Sequence, residues 1–383
     1  MKLRNVLAAG VALSAISAPA FAQEGAPAAD GDPVLGDNVI IVTAVAQGQN
    51  RLESSVSVSA LDAESIADLN PSSSADLIRQ IPGIRSEASG GEGNANIAVR
   101  GIPVSTGGAR YIQLQEDGLP VLEFGDIVFG NADNFVRADR NVGRVEAVRG
   151  GSASTFASNS PGGVINFISK TGLEEGGAVA GTIGIDHETY RLDFDYGGAL
   201  DATSYFHVGG FYRTGEGVRD TGFNGKEGGQ IKANLTTEFD GGYIRVHGKY
   251  LDDSTPTILP QPVAVTGTDS DPDYTAIANF DPRTASLYSR YIPAARTLDG
   301  DNNPTTYDIH DGLSVKSAAF GVEAEVEFAP GWTLTNRFRY ADNSGSFVSP
   351  FPASVGDAQA IADGIGGAGS SIVLASGPDA GQT

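Results

Sequence analysis

Four stretches in the second half of the chain alternate apolar and polar side chains with a period of two. In KANLTTEF, residues 232–239, Ala233, Leu235 and Phe239 share one face, with Lys232, Asn234 and Glu238 opposite. YIRVHGKY, residues 243–250, sets Ile244, Val246 and Tyr250 against Arg245, His247 and Lys249. FGVEAEVEF, residues 320–328, sets Phe320, Val322, Ala324, Val326 and Phe328 against Glu323, Glu325 and Glu327. WTLTNRFRY, residues 332–340, sets Trp332, Leu334, Phe338 and Tyr340 against Thr333, Thr335, Arg337 and Arg339. Period two is the signature of strands with two unlike faces.

Alternation alone suits a soluble sandwich as well as a membrane barrel, and three features favour the barrel. The polar faces carry whole rows of charge, as a water-facing lumen allows. Aromatics (Tyr196, Phe239, Tyr243, Tyr250, Phe328, Trp332, Tyr340) fall at strand ends, where interfacial girdles would lie. Connections alternate between tight turns, in TTEFDGG and EFAPGW, and the long segments 213–228 and 252–315. Together these make the transmembrane β-barrel pattern. About seven strands follow residue 173. Pairing Phe328 with Trp332 across the EFAPGW turn would set Glu323 opposite Arg337 on the polar face, an opposite-charge pair contributing at most about 1 kcal/mol beside water.

From about residue 54 to 172 the signals mix. LDAESIADL predicts a short helix with Asp62 as N-cap, and SSSADLIRQIPG a second, stopped by Pro82 and Gly83. ANIAVRGI, YIQLQEDGLPV and RVEAVRG read as strands between Gly-rich loops, giving a compact α+β module. In VEAVRGGSASTFASNSPGGVINFISK, residues 145–170, a dozen small residues separate two strands. Gly150, Gly151, Gly162 and Gly163 are expected there to supply tight turns and close backbone approach, and Val164, Ile165 and Phe167 a core strand.

The first residues change the picture of location. Lys2 and Arg4, an apolar centre from Val6 to Ile16, and Ala20-Phe21-Ala22 have the three parts of a secretory signal peptide, residues 1–22. A membrane anchor would need about 20 apolar residues, and Ser14, Ser17 and Pro19 interrupt the run. The absence of cysteine rules out disulfides and thiolate chemistry in an exported chain. A net charge of −22 argues against nucleic acid. No cofactor is implied. GFNGKE misses a phosphate loop at both ends, the four histidines are scattered, and no nucleophile elbow or zinc pair occurs, so the chain does not read as an enzyme with a catalytic or metal site. The Asp-rich segment 252–315 lacks the glycine-anchored spacing of a calcium loop and reads as solvated loop.

After a Pro-, Gly- and acid-rich linker comes NVIIVTA, a β-branched run that is either a core strand or a strand offered to a partner's sheet edge. Followed in order by LDAESIADLNPSSSADLIRQIPGI, IAVRGI, LQEDGLPV and RVEAVRGGSASTFASNSPGGVINFISK, it resembles the N-terminal part of the TonB-dependent outer-membrane receptors over residues 38–172. Gly151 in place of a proline and Phe156-Ala157 in place of Tyr-Gly are mild departures from that family's pattern.

The resemblance implies an α+β plug domain followed by antiparallel transmembrane β-barrel strands. It sets a linker with the TonB box at 23–44, the plug at 45–172 and the first part of the barrel at 173–383. Ile40, Ile41, Val42, Thr43 and Ala44 would be the coupling strand for TonB, the inner-membrane energy complex. Arg100 and Arg149 resemble the plug arginines that pair with glutamates on the barrel wall; those partners would lie beyond residue 383, and within this chain both arginines are expected to be unpaired or satisfied locally, for instance by Glu146. Ligand would meet the loop at 86–96, with Glu87, Glu92, Asn94 and Asn96, and the loop at 122–135, with Phe124, Asp126, Phe129, Asn131, Asn134 and Phe135. The expected function is energy-coupled uptake of a ferric siderophore or similar bulky ligand across the outer membrane of a Gram-negative bacterium, in contact with outer-membrane lipid. The alternative is a passive porin or adhesin with an N-terminal module. Such receptors resemble 22-stranded barrels, which need on the order of 450 residues after the plug, so the barrel is expected to be incomplete here.

Overall fold

The computed structural model describes residues 40–43, 49–50, 57–102, 108–123, 126–127, 130–150, 157–278, 280–352, 355–374 and 377–383. The expectations for the leader and linker before residue 40, for Ala44, Phe124, Phe129 and the Gly151-to-Phe156 stretch lie outside these residues, as does the side chain of Asp126.

The N-terminal elements begin with β1 (Ile40–Ile41) and β2 (Gln49–Asn50), an antiparallel pair. β3 (Ser57–Asp62) leads into α1 (Ala63–Leu69), whose first turn is capped by the Asp62 carboxylate accepting from the Ser65 N–H. α2 (Ser74–Arg79) starts on Ser73, whose hydroxyl accepts from the Asp76 N–H. Both caps satisfy amides that a helix start leaves without partners. β4 (Ile84–Glu87) and β5 (Asn96–Val99) form a hairpin. β6 (Ile112–Glu116), β7 (Leu119–Pro120), β8 (Asp126–Ile127) and β9 (Gly130–Asn131) precede a 3₁₀ turn at Ala132–Phe135. β10 (Val142–Arg149) and β11 (Gly163–Ser169) complete a five-stranded sheet of order β3-β10-β11-β6-β7, in which only β11 and β6 run parallel.

Leu77, Ile78, Ile81, Leu114, Val145, Ile165 and Phe167 fill the core between helices and sheet. At roughly 1.5–3 kcal/mol per large apolar side chain this burial is the main force holding the module. Val164 also is buried, so the expected last core strand is β11. Gly162 explains one of the small residues beside it. Its N–H donates to the Tyr111 carbonyl at 2.8 Å, and a Cβ there would stand 2.8 Å from that same oxygen.

The second sheet has seven antiparallel strands, as counted from the sequence. They are β12 (Gly176–Ile183), β13 (Tyr190–Ala199), β14 (Ser204–Gly215), β15 (Lys226–Phe239) and β16 (Gly242–Thr255), followed after the long connection by the last two. The connection carries two hairpins, β17 (Ala264–Thr268) with β18 (Asp271–Thr275) and β19 (Ala294–Leu298) with β20 (Pro304–Asp308). Sequence reading missed these hairpins because their strands are short and exposed and lack an apolar face. β21 (Leu313–Ala329) and β22 (Trp332–Phe347) then close the order β12-β13-β14-β15-β16-β21-β22, and α3 (Ala358–Gly366) follows.

This sheet is built inside out. One cross-strand row reads Phe206, Leu235, Val246, Val322, Phe338, and the neighbouring row reads Tyr205, Thr236, Arg245, Glu323, Arg337. The apolar face looks outward, where Leu334, Phe338 and Tyr340 stand more than half exposed, while the polar face is turned to the N-terminal module. Among the described residues no helix is long and apolar enough to cross a membrane. The strands carry the apolar band instead, with polar side chains on their other face, as in a transmembrane barrel. Arg337 Nε reaches Glu323 at 3.2 Å, in the register expected from the sequence. Tyr243 departs from the expected girdle: it lies on the inner face and donates its hydroxyl to Glu323 at 2.8 Å.

Candidate functional site

The N-terminal module sits against the inner face of the seven-stranded sheet through a seam of charge. Glu116, at the end of β6, accepts from Lys249 of β16 at 2.6 Å and from Lys232 of β15 at 3.4 Å. Burial would raise the Glu116 carboxyl, but Lys249, Lys232 and Arg339 outweigh it and hold it at about 2. Arg339 also donates to the Glu116 and Pro120 carbonyls. Arg137 reaches Asp253 at 2.7 Å, and the same carboxylate receives Arg213 at 2.7 and 2.9 Å. Arg140 and Lys170 converge on Asp195, and Gln230 donates to Asp139. Isolated charges would not survive such burial, whereas each here meets an opposite charge or an amide.

The segment between β4 and β5 is fastened to the same wall. Glu92 accepts from Arg213 at 2.5 Å and from Lys226 at 2.6 Å, and these cations lower its pKa against the opposing effect of burial, the largest influence on it. The Thr255 hydroxyl donates to the Glu92 carbonyl and the Ile258 N–H to Gly90. Gly91 has φ +100°, and a Cβ there would lie 2.9 Å from the Pro256 carbonyl oxygen, so this approach requires glycine. Asp133 holds the other side by accepting from the Ala95 N–H at 2.7 Å, and its burial pushes its carboxyl up to about 6.

Within the expected coupling strand, Val42 and Thr43 are bonded to the plug. The backbone N–H groups of Val42 and Thr43 donate to Glu146 Oε2 at 3.1 and 2.9 Å, and the Thr43 hydroxyl donates to the same oxygen at 2.6 Å. Asn166, directly across from Glu146 in the β10–β11 register, donates its amide to the Thr43 hydroxyl at 3.1 Å. Glu146 therefore serves the N-terminal segment, and its other oxygen lies 2.9 Å from Arg144 Nε. Arg100 and Arg149 are satisfied locally, as expected, but not by Glu146: Arg149 stands three positions on in β10 and so faces the other side, and Arg100 follows the end of β5. Arg100 bonds to the Ser57 hydroxyl at 2.5 Å, and Arg149 to the Ser59 hydroxyl at 2.8 Å and the Pro82 carbonyl.

The expected ligand-facing set divides. Glu87 stays near the surface in an ion pair with Arg85. Asn94, Asn131, Asn134 and Phe135 are buried, so they offer no surface to a ligand in this conformation. The Phe135 carbonyl accepts from Lys249, and the Asn134 carbonyl from Arg137. Glu92, Glu116 and Arg137 are the seam residues that sequence reading missed or placed elsewhere. Their partners are more than 110 positions away, and no local pattern marks such pairs.

Residues 50–164 match the family model of the TonB-dependent receptor plug domain. That stretch thus forms a domain of the TonB-dependent receptor plug type, followed by a sheet of antiparallel strands. It is 26% identical over 263 residues to the ferric enterobactin receptor PirA of Pseudomonas aeruginosa, covering 57% of this chain and 34% of that one. It is 29% identical over 150 residues to the vitamin B12 transporter BtuB of Photobacterium profundum, covering 38% of this chain and 22% of that one. The fold is similar to the ferripyoverdine receptor of Pseudomonas aeruginosa, with TM-score 0.55 and 18% identity over 82% of this chain and 38% of that one. It also resembles the alcaligin receptor FauA of Bordetella pertussis, with TM-score 0.53 and 14% identity over 80% of this chain and 42% of that one. The chain spans about a third of the length of the curated relatives it matches.

Proposed function

We propose that this chain forms the plug and first barrel strands of an energy-coupled receptor in the outer membrane of a Gram-negative bacterium, taking up a ferric siderophore or a ligand of similar bulk. The observation that carries this reading is the plug seated on the charged inner face of a sheet whose outer face is apolar. A passive channel would be obstructed by such a plug; a gated one needs it. On this reading residues 45–172 are the plug and 173–383 the wall, and the role is transport rather than catalysis.

Ile40 to Ala44 would be handed to TonB as an added strand, with affinity coming mainly from main-chain hydrogen bonds. Arg100 and Arg149, which meet only neutral partners among the described residues, would face carboxylates on the wall. Glu87, Phe124, Asp126 and Phe129 remain the residues proposed for ligand. The test is Ile41→Pro or Val42→Pro, since proline cannot donate to a ladder. Uptake of radiolabelled ferric siderophore by intact cells should be abolished while surface binding persists. Unchanged uptake in both variants would end the coupling-strand reading.

A further inference from the structure

We propose that His310 is a proton-operated clasp, which in its charged form fastens the long connection between β16 and β21 onto the connection between β14 and β15. The imidazole sits in a 3₁₀ turn, Ile309–Asp311, and each of its three contacts favours the charged ring. Nε2 stands 3.1 Å from the Ser289 carbonyl, an acceptor, so this nitrogen carries the proton in the neutral ring. Nδ1 is then bare, yet it faces the Asp308 carboxylate at 3.5 Å. Neutral imidazole has one donor for these two acceptors; imidazolium has two. The ring also lies on Phe223 of the β14–β15 connection, with centroids 4.0 Å apart and planes at 35°, where a positive charge meets an aromatic face.

The surrounding charges agree in sign, with one exception. Asp311 closes the same turn, and Asp220 and Glu216 belong to the segment that carries Phe223, where Glu216 accepts from the Thr221 and Gly222 N–H groups at 2.9 Å. Arg290, one residue after Ser289, is the opposing cation, and its Nε lies against Gly222. Arg219 and Lys226 are engaged elsewhere, on the Arg283 carbonyl and on Glu92, and Arg283 pairs with Asp281. Histidine is the side chain that changes charge between pH 5 and 8.

A second fastening beside the clasp does not follow the proton. Phe223 meets Tyr288 edge-on, at 5.6 Å and 70°. The Tyr288 hydroxyl accepts from the Thr257 N–H at 3.1 Å and donates to the Val348 carbonyl at 3.2 Å. Burial, the largest influence on this hydroxyl, pushes it above its ordinary value, so it stays neutral wherever histidine titrates. On either side of Thr257, Pro256 and Ile258 rest on Gly91 and Gly90 of the plug. Tyr288 therefore holds the base of the connection at every pH, and His310 governs the stretch beyond it. Loss of the proton frees residues 284–292 from the neighbouring connection, where the Thr284 carbonyl accepts from the Asp220 N–H at 3.0 Å.

The experiment uses the full chain refolded in phosphatidylcholine vesicles, comparing the unaltered sequence with His310→Gln, Phe223→Leu and Asp308→Asn. Amide protection factors, each taken against the intrinsic rate at the same pH, are followed for peptides covering 284–292 at pH 8 and pH 5.5. The expectation is roughly tenfold greater protection at pH 5.5 in the unaltered chain, with β14 and β15 equally protected at both values. His310→Gln keeps a donor for Ser289 without the titration, so its protection should be the same at both. Phe223→Leu removes the aromatic face and Asp308→Asn the counter-charge, and each should cut the response to about threefold. Equal protection at both pH values in the unaltered chain overturns the clasp, and so does a response that survives in His310→Gln. A full response in both Phe223→Leu and Asp308→Asn overturns the contacts assigned to the charged ring.

Discussion

Glu116 of the plug and Lys249 of the wall, 133 positions apart, meet at 2.6 Å, and Lys249 spends a second donor on the Phe135 carbonyl. One lysine thus fastens two separate plug elements to β16. Glu116→Gln leaves Lys249 and Lys232 buried without their counter-charge, which should cost about 3 kcal/mol. Urea unfolding followed by amide exchange of plug peptides should show the plug released at lower denaturant while the strands of the wall remain protected.

The same carboxylate sets a pH response. Its pKa in the folded chain is about 2, below the ordinary 4.5, so the unfolded chain binds the extra proton between these values. Its contribution is complete above pH 4.5 and is lost as pH falls through 2. Plug release midpoints measured from pH 5 down to 2 should fall in the unaltered chain and flatten in Glu116→Gln.

Asp133 works in the opposite direction. Burial raises it from 3.8 to about 6, so its favourable contribution is present below 3.8 and is lost as pH rises through 6. Asp133→Asn keeps an acceptor for the Ala95 N–H without the buried charge. It should stabilise the plug by on the order of 2 kcal/mol at pH 7.5 and leave it nearly unchanged at pH 4, as read from the same unfolding series.

Val246 stands in the outward row between Leu235 and Val322. Val246→Arg places a charge in the apolar band and should cost about 2–4 kcal/mol where the band meets the middle of a bilayer. Insertion of the refolded chain into phosphatidylcholine vesicles should fall sharply, whereas Lys249→Arg on the inner face should insert normally.

Much of this architecture could be read from the sequence because it follows local rules. Asp62 and Ser73 cap helices where an Asp or Ser precedes an apolar period, and β15, β16, β21 and β22 follow alternation that a single residue of slip would invert. Tyr243 was misplaced because proximity to a strand end does not fix a face; the register with Glu325 and Glu238 does. The seam was illegible for a different reason. Glu92 sits in a glycine-rich loop exactly like one that would greet a ligand, and only the fold brings Arg213 and Lys226 onto it. Asn131 and Asn134 carry the same lesson: amide side chains in a loop suit recognition and burial equally until the wall is present.

β3 occupies the edge of the plug sheet, paired only with β10, and it is the first strand of that sheet in the chain. Tension on the chain ahead of Ser57 consequently peels rather than ruptures. Rungs part in order from Ser57–Arg149 to Asp62–Arg144, and the Ser57 and Ser59 hydroxyls leave Arg100 and Arg149 early. At about 3.3 Å per residue, six residues supply about 20 Å of slack. Peeling that far reaches the N-cap of α1 at Asp62 and leaves the β10–β11–β6 rungs paired. The plug would thereby release a short length of chain at the cost of the contacts of Val58, Ala60 and Leu61, while the larger core between the helices, β10, β11 and β6 stays packed.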